Sequence, residues 1–291
     1  MYTKVGSTIK KIRSDKGYTQ NAVLKDAITQ SAMSKFERNE TDIKYSTLAI
    51  ILENLEMSFE EFSYVHHNYE FSEKELVYKK FFSLTYNEKE EILLVSTRAK
   101  KYLELNEDCL IEDIKDLCDS LIIFIETSNH QVISKNALKV WARLSKKNQF
   151  YLTDLYLLNS IIYFFSLETM LEIKKLAYKS IDRYKDFQNI HRLKINLGVN
   201  LALMLMKRNL YKEALKEIDE TIRLAKITQT YLQLAVCYIR KGVCLNQLHE
   251  DGDNWIRKGK DILNVLEERS LLQMAEDEIR NLMEGSMEVE S

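Results

Sequence analysis

Apolar residues recur along this chain in steps of three and four, and hardly anywhere in the alternating step of a strand. Val5, Ile9 and Ile12 fall on one face of a first helix, with Lys10, Lys11 and Arg13 off that face. Gly17 stands where that helix should stop, the usual place for glycine. Thr19 is placed to cap a second helix, whose apolar positions are Ala22, Val23 and Ala27. Thr29 is placed to cap a third, in which Met33 and Phe36 face inward. Gln30, Ser31, Ala32 and Lys35 are left facing outward at and after its N-terminal end. Ile43, Leu48, Ile51, Leu52, Leu55, Phe59 and Phe62 supply a fourth and a fifth helix and close a five-helix core within residues 1–65.

The second and third of these helices, joined by a tight turn, make a helix-turn-helix. In that arrangement the start of the second helix of the pair meets base edges in the DNA major groove. Gln30 can pair bidentately with adenine and Ala32 can touch a thymine methyl, with Ser31 beside them. Lys35 and Arg38 suit phosphates. The net charge of the whole chain is only −2, but residues 1–38 carry eight Lys and Arg against three Asp and Glu, and residues 39–72 carry one against seven. Positive charge therefore gathers where phosphate would approach, which steers a protein onto DNA. A single small head makes few contacts, so a dimer on two half-sites ~34 Å apart is expected.

A polar joint at 66–73 separates this head from a long second region, 74–284. There the helical period runs almost without a break, and it predicts eleven helices near 74–84, 87–105, 109–127, 134–146, 149–164, 167–184, 187–207, 210–226, 229–248, 253–268 and 271–284. Short loops between long helices force antiparallel neighbours. The chain has no proline and only seven glycines, so it lacks the punctuation of a β-rich fold. A degenerate repeat of about 40 residues shows near the end. Ala202 and Leu205 are followed by Tyr211, Ala214, Ile218 and Thr221 on the next helix; Gly242 is followed by Trp255, Ile256 and Gly259. The expected fold is all-α, a five-helix head followed by an α-solenoid of tetratricopeptide-like helix pairs. The acidic tail, 285–291, is expected to fray.

A stacked array of helix pairs offers one face to an extended ligand. A peptide laid there exposes unpaired N–H and C=O groups, and an Asn amide can satisfy both kinds. Asn196 and Asn200 lie four apart on one helix near Arg192, and Asn159 interrupts a very apolar helix. Tyr238, with Tyr163 and Tyr231, combines an apolar ring with a polar tip. The alternative is that these amides bond neighbouring helices. Cys109, Cys118, Cys237 and Cys244 form no CxxC pair and do not cluster with His, so they read as buried free thiols without a metal or a disulfide framework. No phosphate loop, metal-ligand spacing or nucleophile–base arrangement is legible, which leaves no enzyme and no cofactor to expect. No apolar stretch is long enough to span a bilayer, and the N-terminus is unlike a signal peptide, so a cytoplasmic location is expected.

The spacings Ile9-x-x-x-Arg13, Gly17-x-Thr19-Gln20 and Ser34-x-x-Glu37-Arg38, with the Leu48/Leu52 helix, resemble the XRE (lambda-repressor/Cro-like) family. That resemblance implies that Gln20 touches phosphate, that Gln30, Ser31 and Ala32 read bases, and that Ser34, Lys35 and Arg38 position the DNA backbone. It also implies that Arg13 and Glu37 form a structural pair holding the first helix to the third. The turn departs from the family in being one residue short and lacking glycine. An XRE head followed by a degenerate repeat region is similar to the Rgg/GadR/MutR regulators. The stretches that carry this are residues 31–40, Val199-Asn200-Leu201 to Tyr211, and 238–262. It implies a homodimer whose last helices pair, and a quorum-sensing transcriptional regulator whose repeat region binds a short signalling peptide, with Asn200 on the peptide backbone. The other reading is a helical-repeat scaffold whose partner is a protein or a non-peptide ligand.

Overall fold

A computed structural model describes residues 4–24, 28–84, 89–127, 130–187 and 189–284. Among them all regular structure is helical. The chain divides into two compact units, Met1–Phe81 with Arg98–Ile111, and Phe82–Thr97 with Glu112–Ser291.

The first unit opens with α1 (Val5–Asp15), α2 (Gln20–Leu24), α3 (Gln30–Glu37), α4 (Tyr45–Asn54) and α5 (Phe59–His66), followed by α6 (Glu73–Ser83). Ile9, Ile12, Val23, Leu24, Met33, Phe36, Ile51, Leu52, Leu55 and Phe62 form its core. Gly17 ends α1 with φ 72°, in the left-handed region that glycine enters freely. Thr19 and Thr29 each accept the backbone N–H three residues on, from Ala22 and Ala32. The pattern misplaces two core positions. Phe59 is the first residue of α5, a turn before the buried Phe62, and its ring lies at the surface stacked 4.9 Å from Tyr45. Ala22 sits in the first turn of α2 and is exposed. Ala27 and the rest of the turn at 25–27 lie outside the described residues.

α7 (Lys89–Leu103) and α8 (Cys109–Thr127) run through both units. The second unit continues with α9 (His130–Leu144), α10 (Leu152–Ile161), α11 (Leu167–Ile181), α12 (Ile190–Met206), α13 (Tyr211–Ile227), α14 (Tyr231–Gln247), α15 (Asp253–Val265) and α16 (Arg269–Glu284). Single 3₁₀ turns follow α10 and α11. Contacts join α10 to α12, α12 to α14 and α14 to α16, so these four form one layer; α11, α13 and α15 pack as their partners.

The reversals share one chemical device. After α12, the N–H of Leu210 reaches back to Leu205 O and that of Asn209 to Met206 O; the same two bonds recur after α13, α14 and α15. This is the Schellman closure, which ends a helix on a left-handed residue. With few glycines to use, the chain places Asn209, Gln229, His249 and Glu267 there, at φ between 56° and 63°. Glycine is kept where helices touch. A Cβ on Gly242 would meet Gly252 O at 2.5 Å, and one on Gly259 would meet Ala235 O at 2.5 Å, so these residues let α15 seat against the backbone of α14.

Candidate nucleic-acid interface and ligand face

The candidate interface of the first unit begins with what holds α3. Arg13 on α1 forks onto the carboxylate of Glu37, with Nε to Oε1 at 2.6 Å and Nη2 to Oε2 at 3.0 Å. Its third nitrogen donates to Tyr18 O at 2.6 Å, which ties the end of α1 into the same knot. Gln20 completes it: its amide donates to Glu37 Oε2 at 2.8 Å and accepts the Ser34 hydroxyl at 3.0 Å. Burial pushes the Glu37 carboxyl up, but the hydrogen bonds from Arg13 and Gln20 hold it below the ordinary value. The ionised form is thus what the site is built around.

With α3 fixed at that face, its opposite face is open. Gln30 and Ser31 are exposed at its N-terminal end, and Lys35 and Arg38 are exposed farther along; Ala32 and Ser34 are half-buried. Gln20, Ser34, Arg13 and Glu37 therefore belong to one interior network, and Gln30, Ser31, Lys35 and Arg38 to one exposed strip. Residues in the first turn of a helix combine side-chain donors with free backbone N–H groups, a setting favourable to phosphate. Arg38 is engaged by Glu40 through a two-pronged ion pair, at 2.6 and 3.0 Å.

In the second unit the polar residues form bridges within the α10–α12–α14–α16 layer. Asn200 on α12 donates to the Asn159 side chain on α10 at 2.9 Å. Burial pushes the Tyr163 phenol up to about 12. One turn earlier, Asn196 accepts from Gln233 on α14 at 3.2 Å. Arg192 is exposed, another turn toward the start of α12. Asn159, Asn196, Asn200 and Arg192 thus share one region. Tyr238 does not join them: its ring packs 5.2 Å from Trp255 on α15, on the other side of α14.

Sequence reasoning passes over Arg240. It is buried, forks onto Glu278 of α16 at 2.7 and 2.8 Å, and donates to Val199 O, next to Asn200, at 2.6 Å. Burial alone would lower the guanidinium, but Glu278 raises it above its usual value. Its signal in the sequence is a charge seven residues after Gln233 on an otherwise apolar face; its partner, 38 residues on, carries none. Cys237 and Cys244, on the same helix, are buried thiols pushed up to about 12 by desolvation. Among the described residues no cluster of His, Cys, Asp and Glu could hold a metal, and no helix is long and apolar enough to cross a membrane.

Residues 144–277 match the family described as "HTH-type transcriptional regulator Rgg, C-terminal domain". No curated protein matches by sequence. Solved structures do match in fold along the whole chain. A Listeria monocytogenes EGD-e protein classed as a transcriptional regulator superposes with a TM-score of 0.78 at 18% identity, covering 98% of this chain and 99% of its own. The SHP pheromone receptor Rgg2 of Streptococcus dysgalactiae gives 0.71 at 16%, covering 95% and 99%. PlcR of Bacillus thuringiensis, solved with the peptide PapR7 and DNA, gives 0.69 at 16%, covering 94% and 98%. At such identities the likeness is one of fold.

Proposed function

On the premise that the chain is a regulator of the Rgg type, by its C-terminal domain over residues 144–277, we propose that it binds operator DNA as a cytoplasmic homodimer and answers to a short signalling peptide. Residues 1–65 are the DNA-binding head, 66–73 a linker, and 74–284 the sensing and dimerising region; it has no catalytic role. The observation that carries this reading is the exposed strip of Gln30, Ser31, Lys35 and Arg38 on a helix whose inner face is locked by Arg13 and Glu37. Gln30, Ser31 and Ala32 read base edges, Lys35 and Arg38 contact phosphate, and Ser34 with Gln20 positions the helix while leaving one Gln20 N–H for the DNA backbone.

In the second unit, Asn159, Asn196 and Asn200, with Arg192, receive the peptide; Tyr238, packed against Trp255, does not. Asn200 donates to Asn159 Oδ1, and the pair keeps further amide donors and acceptor capacity for a peptide backbone. A switch requires that the peptide hold two states of the layer with different affinity. PlcR, which shares the fold, is solved with the peptide PapR7 and DNA, and Rgg2, which shares it too, is described as a pheromone receptor.

The test is a gel shift against duplexes selected from a random pool, with wild type and with Gln30→Ala/Lys35→Ala. The double variant should lose both affinity and part of the salt dependence. Unchanged affinity and unchanged salt dependence would overturn the assignment of α3.

A further inference from the structure

The last turn of α3 carries a feature that the DNA-binding reading alone leaves unexplained. Arg38, a phosphate contact in that reading, already has its fork filled. Nε and Nη2 grip the two oxygens of Glu40, at 2.6 and 3.0 Å, which fills the side-on fork and leaves a phosphate only the end-on Nη1 and Nη2 donors, beside a carboxylate.

The pairing is set by the backbone. α3 closes with the Schellman bonds: Glu40 N–H reaches Lys35 O at 2.9 Å and Asn39 N–H reaches Phe36 O at 2.8 Å. Asn39 takes the left-handed position, at φ 60°, and its side chain accepts the Ser7 N–H at 3.0 Å. α1 approaches closely there, since a Cβ on Gly6 would fall 1.8 Å from Phe36 O. The turn is therefore pinned to α1, and it delivers the Glu40 carboxylate to Arg38. Both side chains are about half exposed, 54% and 50%, so the pair adds little to stability. Its consequence is for what Arg38 can bind.

We propose that Glu40 is a specificity-determining residue, a built-in carboxylate that occupies Arg38 in place of phosphate. This rests on the DNA-binding reading of α3. On an arbitrary duplex, a phosphate meets Arg38 either side-on, by displacing Glu40, or end-on, against the repulsion of the Glu40 carboxylate, so the contact contributes little. On a matched site, base contacts from the start of α3 hold the helix in register and the exchange goes through. Glu40 thereby lowers non-specific affinity more than specific affinity.

The experiment compares wild type, Glu40→Gln, Arg38→Ala and the double variant on an unrelated duplex and on a selected operator, over a range of salt. Thermal unfolding checks that all four are folded. Glu40→Gln should raise affinity for the unrelated duplex several-fold, and steepen the dependence of log K on log salt by up to about 0.9 as one phosphate contact is restored. The ratio of operator to unrelated binding should fall. In the Arg38→Ala background the same substitution should do nearly nothing. Equal gains with and without Arg38 would make Glu40 a mere distant charge and overturn the proposal, as would an unchanged ratio in Glu40→Gln. If wild type binds no duplex at low salt, the DNA-binding reading itself falls, and this inference with it.

Discussion

Arg13 and Glu37 meet across 24 residues of sequence in a two-pronged ion pair, with Glu37 only 3% exposed. This contact joins α1 to α3 and holds α3 against the head. Removing Arg13 leaves the buried Glu37 carboxylate with the Gln20 amide alone, a loss of about 1–3 kcal/mol. Arg13→Met should therefore destabilise the first unit on that order, and abolish DNA binding without touching any exposed residue of α3. Hydrogen exchange resolved by segment would read the loss in residues 5–37; protection unchanged there would contradict it.

The same pair predicts an acid limit. Glu37 is held below the ordinary carboxylate value in the folded state, so its contribution is complete above about pH 4.3. As pH falls through the lowered folded value, the proton taken up on unfolding removes that contribution. Stability of the head in wild type should drop across this window. Glu37→Gln should be less stable at neutral pH and show a shallower acid decline, measured by denaturant titrations from pH 7 to pH 3.

Asn200→Ala leaves the Asn159 amide without its 2.9 Å partner. Lost hydrogen bonds of this sort cost about 1 kcal/mol, more where the remaining group is buried. The second unit should lose that much in chemical denaturation, while operator binding in the absence of any peptide persists. In cells, a reporter driven by the selected operator should stop responding to culture medium that activates wild type. A response of wild-type size would remove Asn200 from the ligand face.

Gly242→Ala drives a methyl onto the backbone of Gly252 and Ile256, at 2.5 and 2.9 Å from Gly252 O and Ile256 N. Backbone cannot yield as a side chain can, so α15 must shift. A loss of about 1–3 kcal/mol in the second unit is expected. Gly198→Ala is the milder comparison, since its methyl meets chiefly the Thr221 hydroxyl. Thermal melts of both variants should rank them in that order.

Cys118, Cys237 and Cys244 are buried, and Cys109 is exposed. Desolvation keeps Cys237 and Cys244 protonated at neutral pH, with values near 12, and a protonated buried thiol is a poor nucleophile. Thiol labelling of the native protein should modify Cys109 first, the other three following only with unfolding. Rapid reaction at Cys237 or Cys244 would show that α14 opens locally.

Much of this protein was legible in its sequence because helices are local. Gly17 marks where α1 ends, Thr19 and Thr29 mark where α2 and α3 begin, and the three- and four-residue period carries most of the later helices through to α16. The exposed strip Gln30, Ser31, Lys35 and Arg38 follows from the inward positions Met33 and Phe36 by helix geometry alone. Tertiary structure decided what depends on contacts far apart in the chain. It sent Phe59 to the surface against Tyr45, turned Tyr238 toward Trp255, paired Asn200 with Asn159 across 41 residues and Arg240 with Glu278 across 38. A single amide or guanidinium on an apolar face announces that some partner must exist, since burial without one is costly. Which residue answers it is fixed only when helix packing brings the two together.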